Sequence, residues 1–197
     1  EMCIRDRVHG LFSMKGPVDS VMMVTLYMDD EGIMPLILED GRIEIIISNS
    51  QLSAKGTLLN NALYEFIEKR NAMEVEMGEL ERKEARMVLD GANLEDVHEQ
   101  LAKEEETLAK EMNDYVKDFI IENYENVLGP GVFMMMCSTL PYPIMTPQIE
   151  DIMRTAPLIF KENAFVKDFL SKAKQNMQLL EEHKRLQQSS ETTAMQH

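Results

Sequence analysis

Met134, Met135, Met136 and Cys137 stand side by side in the run GVFMMMCSTLPYP, residues 131–143. Thioether and thiolate sulfurs are the ligands that soft ions such as Cu(I) select. On a helix, successive side chains point about 100° apart, so the three methionines cannot converge on one ion. Only Met134 and Cys137, three positions apart, share a face, and two soft ligands are too few to enclose a metal. The chain carries 17 methionines, distributed through every segment. That distribution reads as packing, since a flexible thioether fills irregular gaps in a core, and Cys137 in apolar company reads as an inert buried thiol.

The other reactive residue types are scattered. His9, His98, His183 and His197 fall in four separate segments, with no H-E-x-x-H or comparable spacing to hold zinc. Cys3 and Cys137 are too far apart in sequence to form a C-x-x-C pair. The run DDEG at residues 29–32 lacks the alternating oxygen ligands and distal glutamate of a calcium loop and reads as a hairpin turn. No G-x-S-x-G, phosphate-binding or dinucleotide-binding glycine pattern occurs. Carboxylates are so abundant that no acid–base pair stands out. The sequence therefore assigns no catalytic, cofactor-binding or metal-binding residue and no cofactor, and reads as a non-enzyme.

Composition narrows the class further. With 197 residues, 44% of them hydrophobic, the chain is long enough to bury one or two cores. A net charge of −15 without a basic, aromatic-interleaved patch argues against nucleic acid as a partner. No apolar run approaches the roughly 20 residues that span a bilayer.

Residues 8–56 show period-two patterning with turn punctuation. LFSMKG reads as a strand, and Met22, Val24, Leu26 and Met28 would line one face of the next. MPLILE and RIEIIIS flank Asp40-Gly41, which predicts a type I′ hairpin with Glu39 facing Arg42. QLSAKG adds a short strand. At Thr57, placed to cap a helix, the period changes. Leu59, Leu63, Phe66, Arg70, Met73, Met77, Leu80, Glu84 and Met87 recur at alternating steps of four and three, the spacing of a coiled-coil seam. DGAN breaks this helix, and Asn93 caps a second whose seam is Leu94, Val97, Leu101, Leu108, Met112, Tyr115 and Phe119. So short a loop requires an antiparallel hairpin over 57–127. Each helix would be about 50 Å long against about 20 Å for a strand, so the hairpin is expected to project from the sheet. Its glutamate-rich distal half reads first as a solvated face with i,i+4 Glu–Lys pairs, and alternatively as an acidic docking surface for a protein partner.

Residues 128–188 read as C-terminal helices packed on the core. A short methionine-bearing helix is followed by LPYP and a helix with Thr146 at its cap and Pro147 in its first position. After Ala156-Pro157 comes a final helix with Phe165, Val166, Phe169, Leu170, Ala173, Met177 and Leu180 inward. Residues 189–197 read as a disordered tail. The fold class is α+β, an antiparallel sheet or sandwich followed by a projecting helical hairpin and further helices. The oligomeric state is not legible in the pattern.

The runs GLFSMKGPVD, MPLILEDGRIEIII, KGTLLNNALYEF and DFIIENYENVLG, spread over residues 8–170, are similar to a domain of unknown function in bacterial envelope proteins. That domain commonly precedes a thioredoxin-like thiol:disulfide interchange domain in secreted proteins or lipoproteins. The resemblance implies a periplasmic or outer-membrane-associated protein, an export signal or lipid anchor upstream, and further strands before Gly10. The alternative it implies is a fragment of a thiol-disulfide oxidoreductase whose catalytic C-x-x-C domain lies outside this chain. The opening EMCIRDR, residues 1–7, resembles translated sequencing-adapter read-through, which would make Cys3 foreign to the protein. If strands are missing, LFSMKG or a neighbour should carry an unpaired edge.

Overall fold

A computed structural model describes residues 12–48 and 50–194; within its helices the side chains of Glu81, Lys184 and residues 186–194 lie outside the description. The expectations that concern residues 1–11 and 195–197, including those for Cys3, His9 and His197, fall outside the described residues. The architecture is α+β, with four short strands followed by six helices among the described residues. The chain divides into two compact units, residues 1–64 and 65–197.

In the first unit, β1 (Met22–Met28) pairs antiparallel with β2 (Glu31–Leu38), and β3 (Glu44–Ile47) pairs antiparallel with β4 (Leu52–Lys55), as two separate two-stranded sheets. The β1–β2 loop is the dipeptide Asp29-Asp30, with φ of 52° and 65°. Both values are left-handed, as a two-residue type I′ turn requires, and aspartate is among the residues that tolerate them. DDEG is thus a hairpin turn. The strand expected over LFSMKG does not form in its described part, since residues 12–18 are irregular.

The Asp40-Gly41 hairpin also does not form. Of the two, only Gly41 has positive φ, Arg42 pairs with Glu44 at 3.3 Å instead of Glu39, and β2 does not pair with β3. The reason lies at the outer edge of β2. Ile37 donates its N–H to Asn60 Oδ1 at 2.9 Å, and its C=O accepts from Asn60 Nδ2 at 2.8 Å. Tyr64 donates its hydroxyl to the Pro35 C=O at 2.9 Å. Asn60 and Tyr64 sit one turn apart on α1 (Leu58–Leu89). Four helical residues advance about 6 Å and two strand residues about 6.7 Å, so side chains at i and i+4 of the helix match backbone groups at alternate strand positions. The helix occupies the place a third strand would take, and β3 turns to β4 instead.

The start of α1 is capped from a distance. Glu39 accepts from the N–H groups of Leu59 (2.9 Å) and Asn60 (3.1 Å), placing a carboxylate where the helix dipole and its unpaired donors favour one. Thr57, the expected cap, instead accepts from Asn60 Nδ2 at 2.8 Å. Gly56 precedes it with φ of +105°, and a Cβ there would stand 2.5 Å from the Arg42 carbonyl oxygen, so strand and helix can join this closely only through glycine.

In the second unit, α2 (Leu94–Glu122) begins with Asn93 accepting from the N–H groups of Glu95 and Asp96, and Thr146 caps α4 (Pro147–Thr155), with Pro147 in the first turn. Both ends are those that the sequence predicts. α2 packs on α3 (Leu128–Cys137) and α4, and α3 on α6 (Ala164–Ala194). A short α5 (Leu158–Lys161) follows Pro157. The core is aromatic: Phe160 lies 4.7 Å from Tyr124 and 5.6 Å from Phe133, and Phe133 lies 5.6 Å edge-on from Phe169. Tyr124 donates its hydroxyl to the Ile152 C=O, fastening α4 to the segment after α2. On α6, Val166, Phe169 and Ala173 are buried as expected, whereas Phe165 is 67% exposed and Met177 and Leu180 are 38% and 39% exposed. The backbone of α6 continues to Ala194, through the polar residues expected to begin a tail at 189.

Candidate interaction surface

All nine expected seam residues of α1, from Leu59 to Met87, are buried or half-buried, while most of their neighbours are exposed. Within the second unit the two arms of the hairpin are tied in layers. Phe66 stacks on Tyr115 at 5.4 Å and meets Phe119 at 4.3 Å, and the Lys69 ammonium lies 4.3 Å over the Tyr115 ring. Toward the tip, Lys83 donates to Glu104 at 2.6 Å, and His98 Nδ1 stands 3.4 Å from the carboxylate of Glu84. The antiparallel hairpin is therefore present, with one of the charged seam positions, Glu84, meeting a polar group across it. Arg70 instead faces Glu74 on its own helix, at 3.4 Å. The bonds from Lys83 and Gln100 hold the Glu104 carboxyl below the usual carboxylate range. This pair is exposed to solvent and contributes little stability.

The seam of α2 departs from expectation at its first member. Leu94 is 61% exposed, and Leu89, at the end of α1, is 86% exposed. With Val88 they put apolar side chains on either side of the 90–93 loop. Below the tip, Asp96, Glu99, Gln100, Lys103 and Glu104 line an open depression on α2, all on one helix and within about two turns. Such a surface can hold a partner's side chains but cannot enclose a reacting group.

Met134, Met135 and Met136 are each half-buried on different sides of α3, and Cys137 is buried. Burial pushes the Cys137 thiol from its ordinary 9.0 up to about 12. The folded thiol holds its proton more tightly than the unfolded one. Its contribution to stability is thus complete below about pH 9 and is lost as pH rises toward about 12. Urea unfolding across that range should show stability of the second unit falling, with a smaller fall in Cys137→Ala. In a Cys3→Ala chain, a thiol reagent at about pH 8 should label the native protein slowly and the urea-unfolded protein fast; rapid labelling of that native variant would contradict the buried Cys137 thiol.

His98 and His183 lie on α2 and α6, and among the described residues no three His, Cys, Asp or Glu side chains gather as a metal site would require. No described helix is long and apolar enough to cross a membrane. The exposed apolar residues at the hairpin tip were not singled out by sequence reasoning, although a leucine on each side of a D-G-A-N loop was a visible signal. A further exposed apolar group, Leu158, Ile159 and Phe165, brackets α5 and the start of α6.

A family described as a domain of unknown function (DUF4369) matches residues 6–63. The matched stretch takes in the four described strands and the opening turns of α1; it ends at residue 63, whereas the similarity read from the sequence extends to 170. No curated protein and no solved structure matches the chain.

Proposed function

We propose that the chain is a non-enzymatic accessory module of the bacterial cell envelope, of the type associated with thioredoxin-like domains, and that its helical hairpin holds a protein partner. The observation that carries this reading is the division of labour on the hairpin. Its inner seam is closed by Phe66, Tyr115, Phe119 and the Lys83–Glu104 pair, while Leu89 and Leu94 at the tip face solvent beside an acidic helix surface. Exposed apolar anchors within a polar rim are what a protein interface needs. Export and association with a thiol:disulfide interchange domain rest on the similarity read from the sequence alone; the family match over residues 6–63 identifies only a domain of unknown function.

The test is titration of the chain with a purified thioredoxin-like thiol:disulfide interchange domain, followed by calorimetry. Binding is expected, and the double variant Leu89→Glu, Leu94→Glu should weaken it at least about tenfold, about 1.4 kcal/mol, with an unchanged circular dichroism spectrum. Absence of heat with a folded wild-type chain would overturn the reading of the partner. An undiminished affinity in the double variant would overturn the role of the tip.

A further inference from the structure

We propose that the outer edge of β1 is a pairing surface for a second copy of this chain, joined strand to strand about a two-fold axis at Thr25. The direction of that edge follows from β2. Ile37 turns both its N–H and C=O to Asn60, away from β1. In an antiparallel ladder, residues that face each other share this orientation. Met23, opposite Ile37, and Thr25, opposite Pro35, therefore turn their N–H and C=O groups away from β2. No described strand pairs with them there, and no backbone bond from the described loops reaches them.

The chemistry of this edge favours a copy of itself. The seven residues of β1, MMVTLYM, contain no charge and no proline, two of the devices by which natural edges discourage pairing, although 28% of the chain is charged; the register with β2 shifts only between Leu26 and Tyr27. The other described edges differ: that of β2 is occupied by Asn60 and Tyr64, β3 carries Glu44 and β4 carries Lys55. For a chain of net charge −15, self-association needs a contact where acids do not face acids. With Thr25 opposite its own counterpart, Met23 faces Tyr27, Met22 faces Met28 and Val24 faces Leu26. Asp29 and Asp30 belong to the turn and lie beyond the paired strand. Every pair is free of like charge, and threonine opposite threonine is favourable. A two-fold interface requires such a self-complementary patch. Tyr27, 63% exposed, would gain cover in the joined sheet.

The experiment is light-scattering mass measurement on the full 197-residue chain over a concentration series, with Thr25→Lys, Thr25→Glu and their mixture. Wild type should double its mass as concentration rises. Each variant alone should stay at single mass, because like charges then stand directly opposite, and mixing the two should restore the doubled mass. A wild type of single mass throughout would overturn the proposal, as would doubled mass in either variant alone or a mixture that stays monomeric. Amide exchange supplies a second reading: a monomer in which the Thr25 N–H is protected would place another segment of the same chain on this edge, and would overturn it too.

Discussion

Replacing Asn60 with alanine should destabilise the first unit by about 3 kcal/mol or more. The side chain is fully buried and serves four groups: the N–H and C=O of Ile37, the Thr57 hydroxyl and the Glu39 carboxylate. Alanine leaves both Ile37 groups without partners in a place water does not reach, and each orphaned group costs about 1–3 kcal/mol. Asn60→Asp is the sharper variant. It keeps an acceptor for the Ile37 N–H but loses the donor, and sets a second carboxylate beside Glu39, so it should be no better tolerated than alanine. Urea unfolding gives the magnitude, and exchange of the Ile37 amide gives the location. A loss below about 1 kcal/mol, or an Ile37 amide protected as before, would mean that the helix is not what completes this sheet edge. Tyr64 contributes to the same edge; burial pushes its hydroxyl up to about 12, so it remains a donor to Pro35 throughout the neutral range.

The second large effect is expected at Phe160. It is fully buried on α5, a helix of four residues, and it joins Tyr124 on one side to Phe133 on the other. Phe160→Ala should cost the second unit about 3–5 kcal/mol, the range for removing a buried ring and leaving a cavity. Phe160→Leu should cost distinctly less, because most of the volume is kept. Its neighbour Ile159 is exposed, so Ile159→Ala should fall within about 0.5 kcal/mol of wild type. Equal effects at 159 and 160 in urea unfolding would refute this assignment of the core.

The contrast between these two sites shows what a sequence pattern can carry. The helix ends at Asn93 and Thr146, the Asp29-Asp30 turn and the α1 seam are local signals, because cap, loop or face is determined by residues a few positions apart. The α2 pattern was legible on one side only: Val116 and Ile120 are buried as well, on a second face that a single-seam reading does not anticipate. The pattern puts Glu39 on a strand facing Arg42, yet it caps a helix 20 residues later. Asp40-Gly41 has the composition of a tight hairpin, but the edge that hairpin needed was already filled by Asn60 and Tyr64. Nothing within a few residues of either segment announces that competition. Phe165 has the right phase for the inner face of α6 and still lies outside, at the first turn. At the hairpin tip the same limit applies: the heptad spacing includes Leu94, while the helix start at that residue leaves it in solvent.

The side-chain edge on β2 also bears on how the protein can be cut for laboratory work. A fragment ended at the change of period near Gly56 would retain all four strands and lose Thr57, Asn60 and Tyr64, baring the backbone of Ile37 and Pro35 to any neighbouring polypeptide. A soluble excised piece must therefore carry α1 at least through Tyr64, and a recombinant fusion partner belongs beyond that residue.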